Sequence, residues 1–144
     1  MAISVKEITL WRREIENKPG MLALVLEPVA TSGADLKVLM AYRYPGNEAK
    51  GAVELYPVSG KRAAAAAQAA GLTPAAEIPA LLVEGSNKAG IGFKTTAAIA
   101  DAGINLAFLV AQVIGSKVSA VYGFDTEIDR RRAVGLLRKQ FNKR

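Results

Sequence analysis

The chain repeats itself. Glu16-Asn17-Lys18-Pro19-Gly20 returns as Ser86-Asn87-Lys88-Ala89-Gly90, an offset of 70 residues that holds without a gap for the next sixteen. It aligns Ala30 with Ala100, Gly33 with Gly103 and Leu36 with Leu106. A repeat of this length marks a duplicated unit of supersecondary structure. In a chain of 144 residues each copy is near the lower practical size for an independent domain. The expected division is 1–74 and 75–144.

Each copy reads as strand, helix, strand, strand, helix. Glu7 to Arg12 alternates as a half-buried strand, and Ala80-Leu81-Leu82-Val83-Glu84 is its fully apolar counterpart. Asn17 suits a helix cap, Pro19 the first turn, and Gly33 a helix stop. The first helix is expected from about Pro19 to Ser32, with Leu22, Val25, Leu26 and Val29 on one face; Pro28 should kink it. Phe93, Ala97 and Ala100 give the same face in the second copy. Strands follow over Asp35–Tyr42 and Ala52–Val58, and again over Asn105–Ile114 and Lys117–Phe124 around a tight Gly115-Ser116 turn. Each copy closes with a helix, Lys61–Ala70 and Asp129–Phe141. The pattern is α+β, a split βαβ. Thr73–Ile78 supplies a final strand to copy one, whereas copy two runs out of chain. An edge of its first strand must then be covered, by Thr73–Ile78 or by a strand from a partner chain.

Composition excludes several chemistries. There is no His and no Cys, so thiolate or imidazole zinc sites and Ser-His-Asp or Cys-His catalysis are ruled out within the chain. Asp125, Glu127 and Asp129 form the one close acidic cluster, read as a helix start capped by Asp129 rather than a hard-cation site. The net charge of +6 is concentrated in Arg130, Arg131, Arg132, Arg138, Lys139, Lys143 and Arg144. Phe141, the one aromatic residue among those charges, is on the inward face with Val134 and Leu137, so the charges read as a solvated helix face rather than a nucleic-acid surface. No apolar run is long enough to span a membrane and Met1–Lys6 has no signal pattern. Together with the absence of Cys, this leads us to expect a cytoplasmic protein with no catalytic site, metal or cofactor.

A strand, then Asn-Lys-Pro-Gly-x-Leu, then a helix ending in Ala-x-x-Gly-x-Asx-Leu resembles the ACT domain, best over Asn17–Leu36 and Asn87–Leu106. The resemblance implies a ferredoxin-like βαββαβ sandwich in two tandem copies, with helices on one face of antiparallel sheets. It implies an amino-acid ligand, regulation of an enzyme of amino-acid metabolism, and units paired side by side, as in a homodimer, with ligands at the seam. The second copy departs from the motif at Ala89 and Gly92.

A free amino acid presents a carboxylate, and the first turn of a helix offers unpaired N–H groups to hold it. Gly20, Met21 and Leu22, with Gly90, Ile91 and Gly92, are the expected donors, entered through Asn17 and Asn87. Asn105 can meet either ligand charge, and Asp35, at the matching place, an ammonium group. The alternatives are a ligand-free module docking on a metabolic enzyme and, with less support, a nucleic-acid-binding protein. The middle strand Ala52-Val53-Glu54-Leu55-Tyr56 lacks the aromatic pattern of an RNA-binding sheet.

Overall fold

The computed structural model describes residues 3–142. Their elements run β1 (Ile3–Ile8), β2 (Trp11–Glu16), α1 (Met21–Thr31), β3 (Val38–Tyr44), β4 (Asn47–Tyr56), α2 (Gly60–Ala69) and β5 (Thr73–Pro74). The second copy continues with β6 (Ala80–Ser86), α3 (Ile91–Asp101), β7 (Leu106–Ile114), β8 (Lys117–Phe124) and α4 (Glu127–Phe141). The chain forms two compact units, one built on Thr9–Ala76 and the other on Glu77–Arg144 together with Met1–Ile8. That division differs from one at 74/75 chiefly in the first eight residues.

The first-copy unit has the antiparallel sheet order β3-β4-β2-β5. Val53 and Leu55 of β4 meet Val25 and Val29 of α1 and Ala67, Ala70 and Leu72 around α2, all buried. The alanines of α2 bury little area each, but they let the helix lie close to its sheet. Pro28 lies inside α1, and nothing in the structure assigns it a role.

The second-copy unit has the order β1-β6-β8-β7. Leu81, Val83, Tyr122 and Phe124 pack against Ile99 of α3 and Val134 and Leu137 of α4. The edge of β6 that lacked a partner is covered by β1, in register from Ile3 opposite Gly85 to Ile8 opposite Ala80. Neither expected cover is used: Thr73 and Pro74 pair with β2 of their own copy. Glu7–Arg12 is accordingly not one strand. The chain leaves one sheet at Ile8 and joins the other at Trp11.

Two arginines of α4 hold β1 in place. Arg138 donates to the Val5 carbonyl at 2.8 Å, and Arg130 to the Ile8 carbonyl at 3.1 Å and the Ala80 carbonyl at 3.4 Å. Arg132 reaches the Ala102 carbonyl at 2.7 Å. Among the described residues the basic C-terminal stretch is therefore only partly a solvated face, because three of its guanidiniums bond backbone carbonyls; Lys143 and Arg144 lie outside the described residues. The helix cap also differs from expectation. Thr126 caps α4 by accepting from the Asp129 N–H at 3.1 Å, and Asp129 sits in the first turn.

One polar group is buried in the first-copy sheet. Glu54 is 2% exposed. One of its oxygens accepts from the Tyr42 hydroxyl at 2.7 Å, and the other has no partner among the described residues. Arg12, directly opposite Glu54 in register, instead bonds the Tyr44 hydroxyl, with its guanidinium 5.8 Å from that ring's centre. Burial, then the bond to Glu54, pushes the Tyr42 phenol up to about 12. A raised pKa means the folded state holds the phenolic proton. The associated stabilisation is complete below the ordinary phenol value of about 10. It is lost as pH rises through about 12. Tyr42→Phe should remove a phenolate that titrates at about 12 from the ultraviolet titration. It should also destabilise the protein by about 1–3 kcal/mol, since Glu54 loses its donor. An unchanged midpoint in urea would contradict this.

Candidate functional site

The repeated motif builds the same turn twice. Each of α1 and α3 starts on a glycine in left-handed backbone, Gly20 at φ +89° and Gly90 at φ +83°, where a side chain would be strained. Neither helix has a side-chain cap or an acidic residue in its first turn. In this they differ from α4, which has Thr126, Glu127 and Asp129.

The backbone bonds match pair by pair. Met21 N–H donates to Lys18 at 3.3 Å and Ile91 to Lys88 at 3.1 Å. Leu24 donates to Gly20 and Lys94 to Gly90, both at 3.0 Å. The two amides between, Leu22 and Ala23 in one copy and Gly92 and Phe93 in the other, find no acceptor among the described residues. Two bare N–H groups at the positive end of a helix dipole are what a carboxylate binds.

The asparagines do a different job from the expected one. Asn17 does not cap α1. Its side-chain amide donates to the Glu48 carbonyl at 2.7 Å and its N–H to Ala49 at 2.9 Å. Asn87 N–H likewise donates to Ser116 at 2.9 Å. Each asparagine ties its turn to the hairpin loop of its own unit and so fixes where the glycine sits.

Asn105 and Asp35 lie elsewhere. Asn105 follows α3, whose 11 residues put about 16 Å between its ends. Its amide donates to Asp125 at 3.4 Å, at the end of the sheet where Phe124 N–H meets Pro79. Gly90 is at the opposite end, in the turn whose Asn87 N–H meets Ser116. Asp35 is exposed beyond the C-terminal end of α1, away from Gly20. Within a unit the structure therefore unites Asn17 with Gly20, Met21 and Leu22, and Asn87 with Gly90, Ile91 and Gly92, but neither Asp35 nor Asn105 with its own glycine turn.

The two turns carry different charge. In the first copy Lys18 pairs with Glu16 at 3.1 Å, on the surface, and this ammonium holds the Glu16 carboxyl below its usual range. In the second copy Ser86 stands where Glu16 stood, and among the described residues Lys88 makes no ion pair. Beside this turn is a cavity of about 360 Å³ whose polar lining is Ser86, Lys88, Lys94 and Gln140. Sequence reading missed Lys94 and Gln140, which approach from α3 and the far end of α4. The change from Glu16 to Ser86 was the legible signal. Among the described residues no three potential metal-ligating side chains come together, and no helix is long and apolar enough to cross a membrane.

No family model and no curated protein matches the chain. Solved structures do. A protein from Bacteroides thetaiotaomicron superposes with a TM-score of 0.74 at 16% identity, over 94% of this chain and 90% of that one. The ligand-free regulatory subunit of aspartate kinase from Thermus thermophilus gives 0.61 at 16% identity, over 98% and 97%. Aspartate kinase from Synechocystis gives 0.61 at 18% identity, over 99% of this chain and 27% of that one. The chain has the tandem ACT-type fold. Each ACT-type unit is a four-stranded antiparallel sheet, the ferredoxin-like arrangement. In the second, β1 takes the place that β5 holds in the first.

Proposed function

We propose that this chain is a regulatory protein that binds a free amino acid at its ACT-type glycine turns and passes that signal to an enzyme of amino-acid metabolism. The observation that carries the reading is the pair of bare amides at the start of α1 and again of α3. They are formed by a motif that recurs in register, and no side chain among the described residues satisfies them. A fold shared with regulatory subunits of aspartate kinase supports a regulatory role.

A homodimer belongs to this reading. Strand β7 is a sheet edge, nine residues long and without charge, with Leu109, Val110, Val113 and Ile114 exposed. Long apolar edges are normally covered. A two-fold axis beside β7 pairs it antiparallel with its copy. The partner's start of β7, with its Asn105, then comes to the Ile114 end of this chain, the end that holds Gly90. That arrangement supplies the seam at which an asparagine and a glycine turn meet one ligand.

A thermal-shift screen against the twenty amino acids tests the reading, because a ligand that binds only the folded state raises Tm. Gly92→Ala sharpens it. An added Cβ meets nothing within 4 Å, and alanine is the better helix former by up to about 1 kcal/mol. The variant should melt higher without ligand yet bind the amino acid more weakly, because its methyl stands beside the bare amides. A flat screen on well-folded protein would overturn amino-acid sensing in favour of a ligand-free module docking on an enzyme. Unchanged affinity in Gly92→Ala would remove this turn from the site.

A further inference from the structure

The repeat supplies its own control for the second glycine turn. Thr95 of α3 stands, at the offset of 70, where α1 has Val25. Tyr122 of β8 pairs with Leu81, and Leu55 of β4 with Trp11, the residue 70 before Leu81, so Tyr122 stands where the first copy has Leu55. Val25 and Leu55 are buried among apolar side chains, and Thr95 and Tyr122 are 0% and 3% exposed. The first copy thus packs two hydrocarbons at these places. The second buries two hydroxyls instead, which is costly unless they are bonded. They bond each other at 2.7 Å, and Thr95 donates to the Ile91 carbonyl at 3.0 Å and the Gly92 carbonyl at 3.1 Å. A threonine has one hydroxyl hydrogen, shared here by the two carbonyls, so the Tyr122 hydroxyl donates to Thr95. Thr96 adds a second donor to the Gly92 carbonyl at 2.7 Å, and Leu26 stands at its place in the first copy.

These bonds act on the two amides that find no acceptor. The Ile91 carbonyl and the Gly92 N–H belong to one planar peptide, and so do the Gly92 carbonyl and the Phe93 N–H. A hydroxyl that holds the carbonyl therefore holds the direction of the N–H on its far side. It also polarises that N–H, as successive hydrogen bonds in a chain do. Through Tyr122 the same chain fastens the turn to β8, an inner strand of the sheet. A threonine bond back onto its own helix slightly destabilises that helix, so its benefit lies at the turn. We propose that Thr95 and Tyr122 are positioning residues, whose paired hydroxyls aim the Gly92 and Phe93 amides at a ligand carboxylate. In the first copy no side chain among the described residues bonds the Met21 or Leu22 carbonyl. That turn offers the same amides without the support, so the two copies bind unequally and the second binds more tightly. The inference rests on the amino-acid-sensing reading, and adds which side chains set the site and which copy leads.

The test is an amide NMR titration of the full chain with sodium acetate, a minimal carboxylate, against sodium chloride at matched ionic strength. The Gly92 and Phe93 amides report on the second turn and the Leu22 and Ala23 amides on the first, in one sample. Gly92 and Phe93 should saturate at the lower acetate concentration. The double variant Thr95→Val with Tyr122→Phe removes both hydroxyls and strands neither, so it should melt no lower than the parent. It should nonetheless weaken acetate at Gly92 and Phe93 roughly three- to tenfold, the effect of losing about one hydrogen bond. Leu22 and Ala23 should be unchanged. Thr95→Ser, which keeps a hydroxyl, should keep most of the affinity. A hydroxyl pair that serves packing alone would give the opposite result in the double variant, a lower Tm with acetate affinity intact, and would overturn the inference. Equal affinity at the two turns of the parent would also overturn it and leave amino-acid sensing standing. Acetate shifts at neither turn would show that these amides receive no carboxylate, and would overturn both readings.

Discussion

A chain that starts at Thr9 will lose its second ACT-type unit. Strand β1 contributes Val5 and Ile8, exposed by only 4% and 3%, and burying such side chains stabilises by about 1.5–3 kcal/mol each. The deletion also strands Arg130 and Arg138, which now bond β1 carbonyls, and bares the edge of β6 along Leu81, Leu82 and Val83. These losses together rival the roughly 5–15 kcal/mol that holds a whole domain. The expected result is a protein that aggregates, or one with far-ultraviolet dichroism well below the full chain's and a broad, early melt. Arg138→Ala is the graded companion. It should lower stability by about 1–3 kcal/mol, since the Val5 carbonyl loses a charged donor. A truncated chain that stays soluble and melts like the full one would show that β1 is dispensable.

This strand is also where sequence reading and structure part. The repeat, the helices, the Gly115-Ser116 hairpin and the apolar strand at Ala80–Glu84 were all legible, because each is a local pattern of period, cap or turn. The fate of Ile3–Ile8 was not. Nothing at Thr9-Leu10 punctuates the chain, so Glu7–Arg12 passes for one strand although its ends belong to different sheets. Periodicity tells which residues face a core but not which core. The offset carried a clue. Running it backwards from Glu16 and Ser86 aligns Leu10 with Ala80, the first residue of β6, and leaves Ile3–Ile8 outside the repeat as a spare strand for the copy that lacked one.

The site was legible in the same uneven way. Gly20 and Gly90 were expected at the helix starts as open backbone, and they stand there, in left-handed conformation; the bare amides follow from a helix start with no Asp, Ser or Thr to cap it. The asparagines were read as caps because that is what asparagine most often does before a helix. Their actual bonds run to Glu48, Ala49 and Ser116, residues far along the chain that only the hairpins bring back. Gln140 was invisible for the same reason. It lies more than fifty residues from Ser86, and only the packing of α4 on α3 and β1 brings it to the same wall.

Gly51→Ala should be among the most damaging single substitutions in the first-copy unit, though it adds one methyl group. Gly51 is buried in β4, opposite Arg43, where the β3–β4 pairing shifts register between Arg43 and Tyr44. A Cβ there would stand 2.3 Å from the Tyr42 carbonyl oxygen and 3.1 Å from the Arg43 Cα. Both are backbone atoms of a paired strand, so relief requires β3 to move away from β4. That movement disturbs the ladder and the Tyr42 side chain that satisfies Glu54. Overpacking typically costs about 1–3 kcal/mol, and a clash with backbone belongs at or above the top of that range. Gly123→Ala is the informative contrast. Its Cβ would lie 2.2 Å from the Phe108 ring, nominally as close, but that ring is a half-buried side chain on the edge strand β7 and can rotate. Urea denaturation should therefore give Gly51→Ala a loss of about 3 kcal/mol or more and Gly123→Ala a smaller one. If the two costs come out equal, or in the reverse order, β3 yields more easily than its pairing implies, and rigid register at Gly51 is not what places Tyr42 on Glu54.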